Sequence, residues 1–166
     1  MDTVTIEARG ISVSLDLAVG HIAAMTVEAD GRVLEPLHRA PWIEEPRETL
    51  PPGLPEGVVR LSGDFLCAPF SVADVEKAPL HGWPANSPWA VVESAAIEDG
   101  WRATFRLART VMGATVEKTL ILRDGHPFLY QEHAFVGGEG AISVAYHTMT
   151  VMKDGGRLAF SPKRVA

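Results

Sequence analysis

The sequence predicts an antiparallel all-β fold, a sandwich or a barrel, on three observations. Apolar residues alternate with polar ones and do not recur at helical spacing. Three Asp-Gly pairs each separate two apolar runs, a strong hairpin signal. About ten short strand-like segments follow one another with turn residues between them.

The elements follow in chain order. "TVTIEA" (3–8) and "ISVSLDL" (11–17) have period two, with Arg9-Gly10 at the turn. "HIAAMTVEADGRVLEPL" (21–37) places Asp30-Gly31 between its two runs. "APWIEEPRETLPPGLPEG" (40–57) then breaks the rhythm with five prolines and several glutamates, and reads as a long surface excursion. "SVADVEKA" (71–78) is the one helical candidate, about a single turn. "HGWPANSPW" (81–89) is too rich in Gly and Pro for a helix or a central strand and reads as a loop. "SPWAVVESAAIEDGWRATFRLA" (87–108) and "ATVEKTLILRDGHPFLYQEHAFV" (114–136) are two further hairpins, turning at Asp99-Gly100 and Asp124-Gly125. "AISVAYHTMTV" (141–151) is the last clear strand, and "RLAFSP" a final short run. The ending "RLAFSPKRVA" reads like a strand leading into further structure. Residues 1–166 are therefore expected to form one β-sandwich domain that is part of a longer one.

With 166 residues and 46% hydrophobic content the chain is long and apolar enough for one packed core. Its net charge of −6, with no Lys/Arg cluster, argues against a phosphate-tracking surface, so nucleic acid is not an expected partner. The single cysteine, Cys67, excludes an internal disulfide and a thiolate metal site. It lies in the apolar run "FLCAPF" and reads as a buried, inert thiol. The stretch "MDTVTIEARG" has no basic region followed by an apolar run and is not expected to be a secretory signal, and no apolar run approaches a membrane span. A cytoplasmic location is expected, without metal or cofactor and without a membrane partner.

The residues that point to chemistry are His81 and His147. On the strand "SVAYHTMTV", period two sends Ser143, Ala145, His147 and Met149 to one side and Val144, Tyr146 and Thr148 to the other. The small residues beside His147 leave space for a ligand on the sheet. An imidazole can hydrogen-bond a hydroxyl or ring oxygen and donate a proton near neutral pH. Trp83 or Trp89 can stack on the apolar face of a sugar ring, and Asn86 and Asp64 complete the candidate contacts. Each also has a purely structural reading. A strand histidine can be a hydrogen-bonded core residue, a loop tryptophan an anchor, and Asn86 and Asp64 turn formers. His126, after the last Asp-Gly turn, reads as solvent-exposed. Gln131 and His133 share one strand face, with Tyr130, Glu132 and Ala134 on the other. No phosphate-binding glycine loop, H-x-x-x-H pair or G-x-S-x-G elbow is present.

Taken in order, "EADGRVLEPL", "LSGDFLCAPF", "PLHGWPANSPW" and "VEKTLILRDGHPFLYQEHAFVGGEGAISVAYHTMTV" resemble the aldose 1-epimerase (galactose mutarotase-like) superfamily over about residues 10 to 160. The resemblance implies a β-supersandwich that binds sugars on a concave sheet. It implies that His147 is the general acid at the ring oxygen and that His81 holds the sugar ring. Two departures accompany it. The family arginine near the strand before the "HG" loop is absent from "GDFLCAPF", with Arg60 the nearest. The family's general base is a glutamate late in a longer domain, and no residue here is assigned that role. The expected activity is interconversion of sugar anomers; the alternative is a sugar-binding module without catalysis. The expected partner is a small-molecule sugar. The scarcity of Arg and Lys near the site disfavours a phosphorylated one. The sheet is expected to be completed by a further C-terminal part or by a second copy in a homodimer.

Overall fold

A computed structural model describes residues 3–72, 75–157 and 159. They form an all-β sandwich of two antiparallel sheets, with no closed barrel. The first sheet contains β1 (Thr3–Ala8), β2 (Ile11–Asp16), β3 (His21–Ala29), β4 (Arg32–Leu34), β5 (Asp64–Cys67) and β10 (Ala145–Thr148). Its order is β1-β2-β3-β5-β10, with β4 also paired to β3. The second sheet contains β6 (Trp89–Ile97), β7 (Gly100–Leu107), β8 (Ala114–Arg123) and β9 (Tyr130–Gly137), in sequence order. No helix among the described residues is long and apolar enough to cross a membrane.

Turn chemistry accounts for the hairpins, each in its own way. Ala29 pairs with Arg32, so Asp30 and Gly31 are the two turn residues, both at positive φ (52° and 70°), as a primed turn requires. At the next hairpin Ile97 pairs with Gly100, which moves the turn one residue back, to Glu98-Asp99. The third connection is longer, because Ile121 is the last residue of β8 to find a partner in β9, Tyr130. Pro127 has no N–H to give to a tight ladder there. The turn is tied instead to the β1–β2 turn. The Arg9 N–H donates to Asp124 Oδ1 (2.8 Å), and the Gly125 N–H donates to the Arg9 carbonyl (2.8 Å).

Two expected elements differ. The 141–151 run is a strand only over Ala145–Thr148. Its partner β5 is four residues long, and past it the chain changes neighbours: the His38 N–H donates to the Met149 carbonyl and the Val151 N–H to the Pro36 carbonyl (both 2.9 Å). In "SVADVEKA" the described residues are bends, not a helical turn, and residues 73 and 74 lie outside the described set. Most of "RLAFSP" also lies outside it. The short helical turns occur elsewhere. They are 3-10 turns at Pro41–Glu44, Arg47–Thr49 and Trp83–Ala85, and an α-turn, α1, at Glu56–Val59. All four begin just after a proline or contain one in their first two positions, where its missing N–H costs nothing.

The core lies between the sheets. Ile6, Val13, Leu15, Ile22 and Leu66 of the first sheet meet Phe105, Leu107, Val116, Leu120 and Leu122 of the second. Burying each such side chain contributes about 1.5–3 kcal/mol. The inward row of β8 reads Ala114, Val116, Lys118, Leu120, Leu122, all buried. Lys118 thus sits in an apolar phase with no exposure, its Nζ donating to the Gly20 carbonyl and lying 5.2 Å from the centre of the Trp89 ring. The carbonyl it reaches belongs to the β2–β3 turn, so this side chain joins the two sheets.

The same turn requires glycine. Gly20 has φ +68°, and a Cβ there would stand 2.1 Å from Trp89 Nε1. Gly20→Ala is therefore expected to cost more than about 2 kcal/mol, read as a lowered urea midpoint at an unchanged slope. A midpoint equal to wild type would refute the close packing.

Candidate functional site

The face of the first sheet turned away from the core carries a cluster of rings. On β5, Leu66 points into the main core, while Phe65 and Cys67 point out and form a second small cluster with Ala85. Register then fixes the neighbours. His147 pairs with Phe65 and Ala145 with Cys67, so the half-buried His147 ring stands beside Phe65. The rings are stacked, 4.8 Å apart and 8° from parallel. His21 stacks on Phe65 as well, at 4.2 Å and 16°.

The "HG" loop brings in the second imidazole. Gly82 has φ +77°, and a Cβ would stand 2.0 Å from the Ala68 carbonyl oxygen. Only glycine lets the loop lie this close to the end of β5. His81 itself is in the left-handed region (φ 69°), costly for a residue with a side chain. Its ring centre lies 5.1 Å from that of His147, with the planes at 70°. The His81 N–H donates to the Ser71 carbonyl (2.9 Å), which holds the loop in place.

Electrostatics set the protonation of His81. Burial, and then the neighbouring His147, lower the pKa of His81. His81 is therefore neutral at pH 7. Its Nδ1 lies 3.6 Å from Cys67 Sγ. Burial, with a smaller contribution from Asp64, pushes the Cys67 thiol up to about 12. The thiol keeps its proton and can serve Nδ1 as a weak donor, the arrangement that leaves the ring proton on Nε2. Neutral His81 then offers an Nε2–H donor. His147 Nδ1 is buried without a protein partner.

The other expected contacts are placed as follows. Trp83 opens the 3-10 turn two residues after His81, half-buried against the core, with the Arg109 guanidinium 4.2 Å over its ring. Trp89 is 3% exposed and belongs to the core, with Nε1–H donating to the Pro84 carbonyl at 3.0 Å. It is an anchor and not a sugar-facing wall. Asp64 is neither a turn residue nor part of the ring cluster. It is a buried strand residue turned toward the second sheet, accepting from Thr148 Oγ1 (2.5 Å) and Gln131 Nε2 (2.7 Å). Asn86 is a loop staple, donating from Nδ2 to the carbonyls of Leu80 (2.8 Å) and Gly82 (2.7 Å) and accepting from the Gly57 N–H (2.9 Å). The arrangement thus brings together His81 and His147, packs Trp83 of the same loop against the core, and sends Trp89 and Asp64 inward. Arg60, the nearest arginine in sequence, is held by Asp16 at 2.6 Å.

Asn86→Ala removes three hydrogen bonds that organise this loop. The expected cost is about 1–3 kcal/mol, and His81 should lose its fixed position. A thermal unfolding midpoint within a degree of wild type would contradict this role.

Sequence reading missed Phe65, His21 and Arg109. Phe65 carried a signal: it alternates with Leu66 in a run with no polar residue, so one of the two had to face away from the core. His21 and Arg109 carried none, because each reaches its neighbours through the tertiary fold. Among the described residues no group of three or more His, Cys, Asp or Glu side chains is arranged to hold a metal ion. Comparisons with protein-family models, with curated proteins and with solved structures find no match.

Proposed function

We propose that this chain binds a sugar over the His81–His147 pair and acts in the interconversion of its anomers. The observation that carries the reading is the meeting of two imidazoles, distant in sequence, 5.1 Å apart on one outward face of a sheet. The ordered resemblance to the aldose 1-epimerase superfamily supports the same pair. The positive φ of His81 adds to it, since backbone strain of about 1–3 kcal/mol concentrates at functional sites.

In this reading neutral His81 donates its Nε2–H to a sugar oxygen and fixes the ring. His147, in its protonated form, gives a proton to the ring oxygen as the C1–O5 bond breaks. The C1 hydroxyl loses its proton to a base in the same step, and an open-chain aldehyde results. Reclosure on the other face of C1 returns the opposite anomer. No residue of this chain is assigned the base.

A second reading, a sugar-binding module without catalysis, is favoured by the orientation of Asp64. Its carboxylate is committed to Thr148 and Gln131 on the opposite side of the sheet. Titration of the chain with D-glucose and D-galactose, followed by tryptophan fluorescence and by polarimetry on the same samples, separates the two. Accelerated anomerisation supports the first reading, binding alone the second. Neither signal with any aldose would overturn both.

A further inference from the structure

The proline-rich segment between residues 40 and 57 does not simply hang from the surface. Its 3-10 turns and α1 fold back over the outward face of the first sheet and enclose a cavity of about 340 Å³ against Asp16 and Ala23. That volume lies at the lower end of the range of about 300–1,000 Å³ for small-molecule sites. Asp16 pairs with His21 in the β2–β3 ladder. The cavity is thus on the same face as the ring cluster, over β2 and β3 and beside rather than over β5 and β10, and neither His81 nor His147 lines it.

Its walls divide by chemistry. Trp42, Ile43, Leu50 and Val59 supply an apolar side. Trp42 is held rigidly, its Nε1–H donating to the Val58 carbonyl at 3.0 Å. The polar side contains three guanidiniums, Arg39, Arg47 and Arg60, and three carboxylates, Asp16, Glu45 and Glu56. Two of the arginines are already neutralised. Arg60 grips Asp16 Oδ2 through both Nε (2.8 Å) and Nη2 (2.6 Å), in a pair whose carboxylate is only 4% exposed. Arg39 is paired with Glu44 at 2.9 Å.

This balance decides what the cavity takes. Counting Glu44, the partner of Arg39, four carboxylates face three guanidiniums, an excess of one negative charge on exposed side chains that disfavours an anion and, screened by solvent, is a weak attractor for a cation. Guanidinium N–H donors stand beside carboxylate acceptors, and charge-assisted hydrogen bonds of both kinds are stronger than neutral ones. A ligand must therefore present hydroxyls that both donate and accept, together with an apolar face for Trp42. We infer that this cavity is a second binding site, separate from the imidazole pair, for a neutral polyhydroxylated ligand of saccharide size. The site does not depend on the chemistry assigned to His81 and His147.

The test is isothermal titration of the full chain with D-glucose and maltose, set beside D-glucosamine, D-glucose 6-phosphate and L-alanine as cationic, anionic and zwitterionic probes. The experiment is repeated on Glu56→Gln, Arg47→Ala, Trp42→Phe and His147→Ala. Glu56 and Arg47 are exposed, so their variants keep the fold even where Trp42→Phe loosens the segment. The expected result is a neutral-sugar binding component that weakens about tenfold in Glu56→Gln or Arg47→Ala, the loss of one hydrogen bond to a charged group, and that persists in His147→Ala, which removes only what binds at the imidazole pair. Neutral-sugar binding lost only in His147→Ala would place the ligand at the imidazole pair and overturn the second site. Tighter binding of a charged or zwitterionic probe would overturn the ligand class, and no binding of any probe would overturn both.

Discussion

Acidification from pH 6.5 toward pH 3 is expected to unfold this protein. Two histidines, the buried His21 and the half-buried His133, are held in neutral form. Burial, followed by the positive charge of Lys118, lowers His21 to about 3, and the same two causes lower His133 to about 3. His21 has no exposure, and its Nε2–H donates to the Ala85 carbonyl at 3.1 Å. Its Nδ1 and the Nε2 of His133 are buried without partners, so neither ring has a counter-ion to receive a second proton. In the unfolded chain both titrate near 6.5. Between pH 6.5 and 3 the unfolded state therefore binds more protons, and stability falls as pH falls. Each shift corresponds to up to about 4–5 kcal/mol at the acid end. Together these approach the whole stability of a typical domain, about 5–15 kcal/mol. Urea unfolding at pH 7, 5 and 4 would show a midpoint that falls steeply. His21→Phe, which retains a ring against Phe65, would shed about half of the slope. An unfolding free energy that stays level from pH 7 to pH 4 would refute the neutral burial of these rings.

The opposite limb belongs to Lys118. Burial lowers it to about 8 from 10.5. Its charged form is penalised in the fold, so stability is lower below pH 8 and rises as pH climbs from 8 toward 10.5, the range in which only the unfolded chain holds the extra proton. Lys118→Met should abolish that rise and leave stability at pH 7 level or higher, as replacing a buried charge by a well-packed apolar chain often does. A large loss of stability at pH 7 in Lys118→Met would show that the contact with the Gly20 carbonyl outweighs the burial penalty.

His147→Ala carries the largest expected effect on activity. A positioned acid contributes roughly 10²–10⁴-fold, so anomerisation followed by polarimetry should fall by that factor. The fold should survive, because His147 is half-buried at the end of a short strand and touches Phe65 on one side only. His147→Gln, which keeps a hydrogen-bonding side chain but no acid, should lose the rate equally while retaining sugar binding. An unchanged rate in either variant would remove His147 from the chemistry. His81→Ala should weaken binding more than it slows turnover, since the proposed role of that ring is to hold the sugar and not to protonate it.

How much of this was legible in the sequence varies with the distance over which each feature is decided. The β1–β2 and β3–β4 hairpins follow from Gly10 and from Asp30-Gly31, whose turn geometry is local. The alternation along 114–123 places Lys118 in the same phase as Val116 and Leu120. A buried lysine was therefore written in the pattern, although the general rule that lysine is exposed hides it. The reach of β10 was not legible, because it depends on the four-residue length of β5. Nor was the separation of the two loop tryptophans, Trp83 and Trp89. Both stand near prolines, and only the Gly20 turn, which closes over Trp89, decides which one enters the core. The opening of the 40–57 segment into a cavity wall was equally hidden, since its short helical turns are stabilised by contact with the sheet.

Phe65 is gripped from both sides, by a sealed imidazole on one face and a half-open one on the other. The orientation of the outer ring is thus inherited from the interior, through a single aromatic spacer, and has no seat of its own at the surface. A substitution at position 21 or 65, both sealed from solvent, would therefore turn the half-open ring of His147.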